Sequence, residues 1–192
     1  MRHKAVFFDR DDTLNHDPGY LNDPQKVKLF PYVPEGISKL KNEHAFKIFC
    51  VSNQSGITRG LVTKEVVDEI HDEINSQLSN YNTFIDAFFY CPFHPDFDPP
   101  EKVICRKPSP YMVVKAAKQF NIDLGMSYMV GDKVSDIECG IAAGLKTVLI
   151  DYNNSKTAIN TLKKTDKTPN FTASNFLDVC DFIIRDYLGE LN

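Results

Sequence analysis

No stretch of this 192-residue chain approaches the roughly 18 consecutive apolar residues that cross a bilayer, and no charged-then-apolar signal opens it. No membrane partner is therefore expected. A basic excess is also missing: the net charge is −4, so the electrostatic footprint of nucleic-acid binding is absent and no nucleic-acid partner is expected. Cysteine is sparse, odd in number and scattered (Cys50, Cys91, Cys105, Cys139, Cys180), which is not the pattern of a disulfide framework. A reduced, cytoplasmic protein follows as the expectation, with Cys50 and Cys139 in core segments. There is no internal repeat and no low-complexity linker. At this length the chain is expected to form a single domain over residues 1–192 and to act as a monomer.

What the sequence does contain begins with Ala5-Val6-Phe7-Phe8, a short apolar run that stops on Asp9-Arg10-Asp11-Asp12-Thr13. Such a run reads as a strand buried on both faces, and the acids then lie just past its carboxyl end. Phe46–Val51, Phe84–Tyr90, Ser127–Val130 and Lys146–Ile150 read as further strands. They alternate with helices over 34–44, 63–78, 109–120 and 134–143, and a closing helix spans 176–188. Asn15 to Phe30 carries turn signals and no helical period, so it reads as a loop or small hairpin. Cys91 to Pro108 is a long proline-rich loop, 153–167 has no clear period, and residues 170–172 suit a short edge strand.

The alternation predicts a three-layer, Rossmann-like α/β fold around a parallel sheet of order about 3-2-1-4-5, with a small hairpin insert and no large cap domain. In that order the acidic turn after strand one, Ser52-Asn53-Gln54-Ser55-Gly56 and Gly131-Asp132 converge on one crevice, where open α/β sheets bind ligands. Asp9, Asp11 and Asp132 offer the hard oxygens that Mg²⁺ prefers. Ser52 offers a hydroxyl and loop amides to a phosphoryl oxygen, and Lys107 a positive charge beside a helix start. Together these are the parts of phosphoryl transfer, in which a carboxylate can itself be the nucleophile.

Asp9-Arg10-Asp11-Asp12-Thr13, Ser52 to Gly56, Arg106-Lys107-Pro108 and Gly131-Asp132-Lys133-Val134-Ser135-Asp136 resemble the four motifs of the haloacid dehalogenase-like phosphatases, over roughly residues 4–150. More narrowly they are similar to the branch containing heptose-1,7-bisphosphate and histidinol-phosphate phosphatases. The resemblance implies Asp9 as nucleophile, Asp11 as general acid and then base, and Ser52 and Lys107 as holders of the transferring group. It implies Mg²⁺ on the Asp9 carboxylate, the Asp11 main-chain carbonyl and Asp132. Substrate contacts carry over to Asp17, Gly19, Tyr20, Asn53, Gln54, Ser55, Arg106 and Lys133, and Asp136 is expected to support the site or start a helix. The implied activity is hydrolysis of a small phosphorylated metabolite, heptose bisphosphate first and histidinol phosphate second.

Two departures from the family pattern stand out. Asp12 occupies a position that is usually glycine; Asp tolerates left-handed backbone, but it adds a charge near the metal. Relatives often fold the proline-rich loop around Zn²⁺ with paired Cys and His ligands. Here Phe93 and Val103 replace two of them, so Cys91, His94 and Cys105 are an incomplete set and no zinc is expected. A phospho-accepting signalling module of the receiver type is the reading from another class; it requires an Asp where strand three ends in Tyr90-Cys91-Pro92. His3, His16, His44 and His71 read as solvated or locally bonded, Glu65, Asp68, Glu69, Asp72 and Glu73 as the solvated face of a helix, and Phe88-Phe89-Tyr90 as core strand.

Overall fold

The computed structural model describes residues 2–191. Its sheet comprises β1 (Ala5–Phe8), β2 (Lys47–Asn53), β3 (Ala87–Cys91), β4 (Tyr128–Gly131), β5 (Lys146–Ile150) and β6 (Phe171–Ala173). The order is β3-β2-β1-β4-β5-β6 and every pairing is parallel, so the expected order holds and residues 171–173 extend it by one edge strand.

Side-chain alternation on β1 builds both cores at once. Val6 and Phe8 enter one core with Ile48, Cys50 and Val130. The helices over it are α1 (Val33–Ser38, continued by a π-helical turn to Glu43), α2 (Lys64–Ser79) and α7 (Phe176–Leu188). Ala5 and Phe7 enter the other core with Phe49, Val51 and Met129, under α4 (Tyr111–Phe120) and α5 (Val134–Ala143). The helix ends carry the chemistry that defines them. Thr63 accepts a hydrogen bond from the Val66 N–H at the start of α2, Asn175 accepts from Asp178 at the start of α7, and Gly144 ends α5 at a φ of 77°.

Several boundaries differ from the sequence expectation for local reasons. β3 starts at Ala87 instead of Phe84, because the Asp86 carboxylate binds the Ile48 N–H (2.8 Å) and Phe84 turns out to solvent. As the sheet edge, β3 leaves Phe88, Phe89 and Tyr90 half-buried, not fully in the core. The proline-rich loop contains the short helix α3 (Pro100–Val103), and α6 (Thr157–Lys164) occupies the segment without a clear period. Residues 15–30 form a small hairpin-like insert, closed by an antiparallel bridge between Asn15 and Leu29 and a hydrogen bond from the Phe30 N–H to Leu14 O (2.9 Å).

Two expectations are overturned. Cys91 and Cys105 are joined in a disulfide, with Cα atoms 5.5 Å apart, so the chain is not wholly reduced; Cys50, Cys139 and Cys180 are free and buried. The bond ties the end of β3 to the residue just before Arg106 and Lys107, and it engages two of the three side chains of the incomplete zinc set. His94, the third, accepts from the Asp96 N–H through Nδ1 (3.2 Å).

His71 is not solvated. It is buried on α2 with its ring stacked on Phe88 at 4.2 Å. Burial, joined by the nearby charge of Arg10 and opposed by Asp11, lowers its pKa to about 3. The native state therefore holds His71 neutral, while the unfolded chain protonates it near its ordinary value. Its contribution is present above that ordinary value and is lost as the pH falls toward 3. We expect His71→Phe, which keeps the stack, to reduce the loss of unfolding free energy between about pH 7.5 and about pH 4.5 by about 2–3 kcal/mol. Urea titrations at the two pH values check this; identical losses in the two proteins would contradict it.

Candidate active site

The register of the sheet brings the ends of three strands level: Phe8 pairs with Cys50 on one side and with Val130 on the other. The next residue, Asp9, is buried and fixed by its own N–H donating to Val130 O at 2.9 Å. Its Oδ1 accepts from Lys107 Nζ at 2.8 Å. That ammonium also donates to Val51 O at 2.7 Å and lies 2.6 Å from Asp136 Oδ1. Burial works against the Lys107 charge, but the carboxylates of Asp136 and Asp9 outweigh it and raise its pKa above the ordinary range.

Two other residues hold this arrangement. Asn53 grips the Lys107 backbone in both directions, accepting from its N–H at 2.9 Å and donating to its carbonyl at 3.2 Å. Asp136, at the first turn of α5, accepts from the Lys133 N–H at 2.9 Å, so it supports the site and starts the helix as expected. It can come this close because residue 131 is glycine: a Cβ there would lie 2.3 Å from Asp136 Oδ2.

Asp11 is held by different partners. Arg10 Nε and Nη2 donate to its two oxygens at 2.9 and 2.8 Å, Gln54 Nε2 adds 2.8 Å and Asn15 Nδ2 3.3 Å. Burial raises the Asp11 pKa, but Arg10 and these hydrogen bonds together hold it below the usual carboxylate range. Gln54 also donates to Ser52 Oγ at 3.3 Å.

Three oxygens meet near Lys133, whose Nζ lies 3.7 Å from Asp9 Oδ2, 3.5 Å from Asp11 O and 3.3 Å from Asp132 Oδ1. The ammonium thus stands among hard oxygen donors where a cation fits. Carboxylate oxygens of Asp9, Asp132 and Asp136 all lie within 4.8 Å of one another, the one such cluster among the described residues. Burial and the charges of Asp9 and Asp136, partly offset by Lys133, raise the Asp132 pKa to about 7. So dense an acidic group favours a divalent cation with oxygen ligands, Mg²⁺ foremost.

A cavity of 360 Å³ opens over this cluster. Its wall includes Asp9, Asp11, Asp17, Gly19, Tyr20, Asn53, Gln54, Ser55, Arg106, Lys107 and Lys133, so most residues singled out in the sequence share one space. Two do not form part of that wall. Ser52 is buried beneath Gln54, and Asp132 lines an adjoining crevice of 220 Å³ with Asp12. Arg10, Leu21, Val62 and Ser135 also line the main cavity and were not singled out. Of these, Arg10 alone carried a readable signal: β1 alternation, continued one step past Asp9, points it toward the α2 core. The Asp12 departure has a local explanation. Its backbone is left-handed (φ 59°), and its Oδ1 accepts from the Asp17 N–H at 3.2 Å, closing the loop that carries Asp17, Gly19 and Tyr20.

Known proteins resemble this chain in sequence and in fold. A HAD-hydrolase-like family model matches residues 104–179. The chain is 37% identical over 165 residues, 81% of its length and 82% of the relative's, to D-glycero-D-manno-heptose-1,7-bisphosphate 7-phosphatase of Chlorobaculum tepidum. It is 36% identical over 76% of its length, and 79% of the relative's, to the D-glycero-beta-D-manno-heptose-1,7-bisphosphate 7-phosphatase of Yersinia pestis. Among solved structures, D,D-heptose 1,7-bisphosphate phosphatase from B. bronchiseptica, complexed with magnesium and phosphate, superposes with a TM-score of 0.83. The identity is 26%, and the match covers 95% of this chain and 99% of that one. The chain belongs to the haloacid dehalogenase-like phosphatases and is a phosphoric monoester hydrolase. No described helix is long and apolar enough to cross a membrane.

Proposed function

We propose that this phosphatase removes the 7-phosphate of D-glycero-D-manno-heptose 1,7-bisphosphate, with Asp9 as nucleophile and Mg²⁺ as cofactor. The observation that carries the reading is the division of labour on Asp9: Oδ1 is tied to the buried Lys107, while Oδ2 shares the Lys133 ammonium with Asp11 O and Asp132 Oδ1. The two relatives above, both 7-phosphatases of this sugar, support the choice of substrate.

Asp9, the Asp11 carbonyl and Asp132 would hold Mg²⁺, which when bound neutralises charge on the transferring phosphoryl group. The side chains supply the rest. An Asp9 oxygen bonds to phosphorus as the ester P–O bond breaks; Asp11, held ionised by Arg10 in this structure, takes up a proton with the incoming substrate by releasing one of its N–H donors, and gives that proton to the departing sugar oxygen. Asp11, now ionised, takes a proton from water; the water oxygen bonds to phosphorus as the Asp9–phosphorus bond breaks, and phosphate leaves. Lys107 balances charge on Asp9 and the phosphoryl group throughout, and Ser52 keeps the Gln54 side chain beside Asp11. Arg106 takes the second phosphate as a bidentate partner, and Lys133 moves off the oxygen cluster toward the substrate. Asp17, Gly19, Tyr20, Asn53, Gln54 and Ser55 shape the remaining cavity.

In this reading the proline-rich loop, closed by the Cys91–Cys105 bond in this structure, binds no zinc; about one equivalent of zinc by elemental analysis would contradict that. The whole chain acts as one catalytic domain, a cytoplasmic monomer with neither nucleic acid nor membrane as partner. A reducing cytoplasm would open the disulfide, so the loop then relies on its own packing. Phosphate release from heptose bisphosphate, compared with histidinol phosphate, tests the assignment.

A further inference from the structure

One wall of the catalytic cavity is Tyr20, a residue that its own backbone does not suit. Tyr20 is left-handed (φ 72°) directly after Gly19 (φ 86°), a costly conformation for a bulky side chain. Glycine or asparagine would make the turn more easily, so the ring and not the turn accounts for tyrosine here. That ring is clamped. On one side residue 56 has no side chain, and a Cβ there would lie 3.1 Å from the ring carbon Cδ1. At its outer end the hydroxyl is bonded by Arg59 Nη1. Arg59 is not in the cavity wall but on a turn built from the cavity's own loop: its N–H donates to Ser55 O at 3.2 Å. Its guanidinium carbon is 5.2 Å from the centre of the Tyr20 ring and 5.7 Å from that of Phe97 on the proline-rich loop. The neighbouring Thr58 bonds the Asp98 carboxylate, so this turn joins the hairpin insert to the proline-rich loop.

We propose that Arg59 is a positioning residue for the substrate: braced by Phe97, it fixes the Tyr20 ring as the wall on which the unreacted end of a sugar bisphosphate rests. The inference rests on the proposed function, which gives the second phosphate to Arg106. Arg106 lines the same cavity and lies within electrostatic reach of Tyr20, so the ring borders the place assigned to that phosphate. Binding at the unreacted end holds a long substrate in line with Asp9, and a wall that shifts loses that alignment. p-Nitrophenyl phosphate has no second phosphate to lodge, so its hydrolysis does not depend on where the ring stands.

The test measures kcat and KM of the full chain and its variants, with Mg²⁺, on D-glycero-D-manno-heptose 1,7-bisphosphate and on p-nitrophenyl phosphate. Arg59→Met keeps the apolar stem and removes the hydrogen bond and the charge. We expect its kcat/KM on the bisphosphate to fall roughly tenfold, mostly through KM, while that on p-nitrophenyl phosphate stays within about twofold of the parent. Arg59 is exposed, and the p-nitrophenyl phosphate rate reports on the same preparation that the site is folded. Arg59→Lys keeps a cation and a donor for the hydroxyl, and should return to within about threefold of the parent on the bisphosphate. In a Tyr20→Ala background, Arg59→Met should cost less than about twofold more, because the ring that it holds is gone. Equal losses on both substrates would make Arg59 a purely structural residue and overturn the inference, as would an unchanged rate on the bisphosphate. Independent, multiplying losses in the double variant would overturn it too, since Arg59 would then meet the substrate itself. Failure of the underlying reading looks different: the parent would hydrolyse p-nitrophenyl phosphate and leave heptose bisphosphate intact, and the inference would fall with it.

Discussion

Replacing Asp9 by asparagine is expected to lower turnover by at least about 10⁴-fold while the protein stays folded. The substitution preserves shape, and the Asp9 N–H keeps its bond to Val130 O. Lys107 keeps Asp136 at 2.6 Å and Val51 O at 2.7 Å, so the buried ammonium is not left without partners. What is lost is the oxygen nucleophile that no neighbour can replace. Asp11 is turned to Arg10, and Asp132 lies outside the wall of the main cavity. Circular dichroism and a phosphate-release assay check both halves of the prediction. Activity near that of the parent would remove Asp9 from the chemistry.

Lys107→Met should be worse for the fold and less damaging to the reaction. Lys107 is the shared counter-ion of two buried carboxylates, and removing one partner of a buried pair costs about 3–5 kcal/mol. The positive charge facing the phosphoryl group disappears as well, a loss of roughly 10²–10³-fold in turnover. A second substitution separates the two effects. Lys107→Met with Asp136→Asn removes one of the stranded charges, so most of the stability should return while turnover stays low. Urea denaturation and turnover on the same preparations distinguish them. Recovery of activity together with stability would mean that Lys107 serves the fold alone.

Much of this was legible in the amino-acid sequence because the signals were local. The run Ala5–Phe8 could only be buried on both faces, and α5, β5 and α7 lie where the pattern placed them. Asp9, Asp11 and Lys107 could be gathered from three separated segments because each follows a strand or precedes a helix, and a parallel sheet brings those ends to one edge. The parts that could not be read depend on contacts between distant segments. Arg10 between two acids looks like part of a polar turn; strand alternation continued past Asp9 puts it on the face of Val6 and Phe8, where it is 1% exposed and lies near His71 of α2. Asn53 looked like a substrate contact, and it lines the cavity, yet its amide is engaged by the Lys107 backbone 54 residues away. The Cys91–Cys105 bond depends on how a proline-rich loop folds back on itself, and that loop has no period to read. His71 lies on a helix face rich in acids, and only its stack on the edge strand removes it from water. Asp12 was legible in part. Its tolerance of left-handed backbone follows from residue type, whereas its bond to the Asp17 N–H needed the folded loop.

Phosphate release from a heptose bisphosphate tests the proposed Mg²⁺-dependent attack by Asp9 most directly. Initial rates should be measured on D-glycero-D-manno-heptose 1,7-bisphosphate and on histidinol phosphate, each with Mg²⁺ and with a chelator. Release of one phosphate per heptose bisphosphate is expected, dependent on Mg²⁺, with kcat/KM at least about tenfold above that on histidinol phosphate. Equal and feeble turnover of both compounds, or release that persists without the metal, would contradict it.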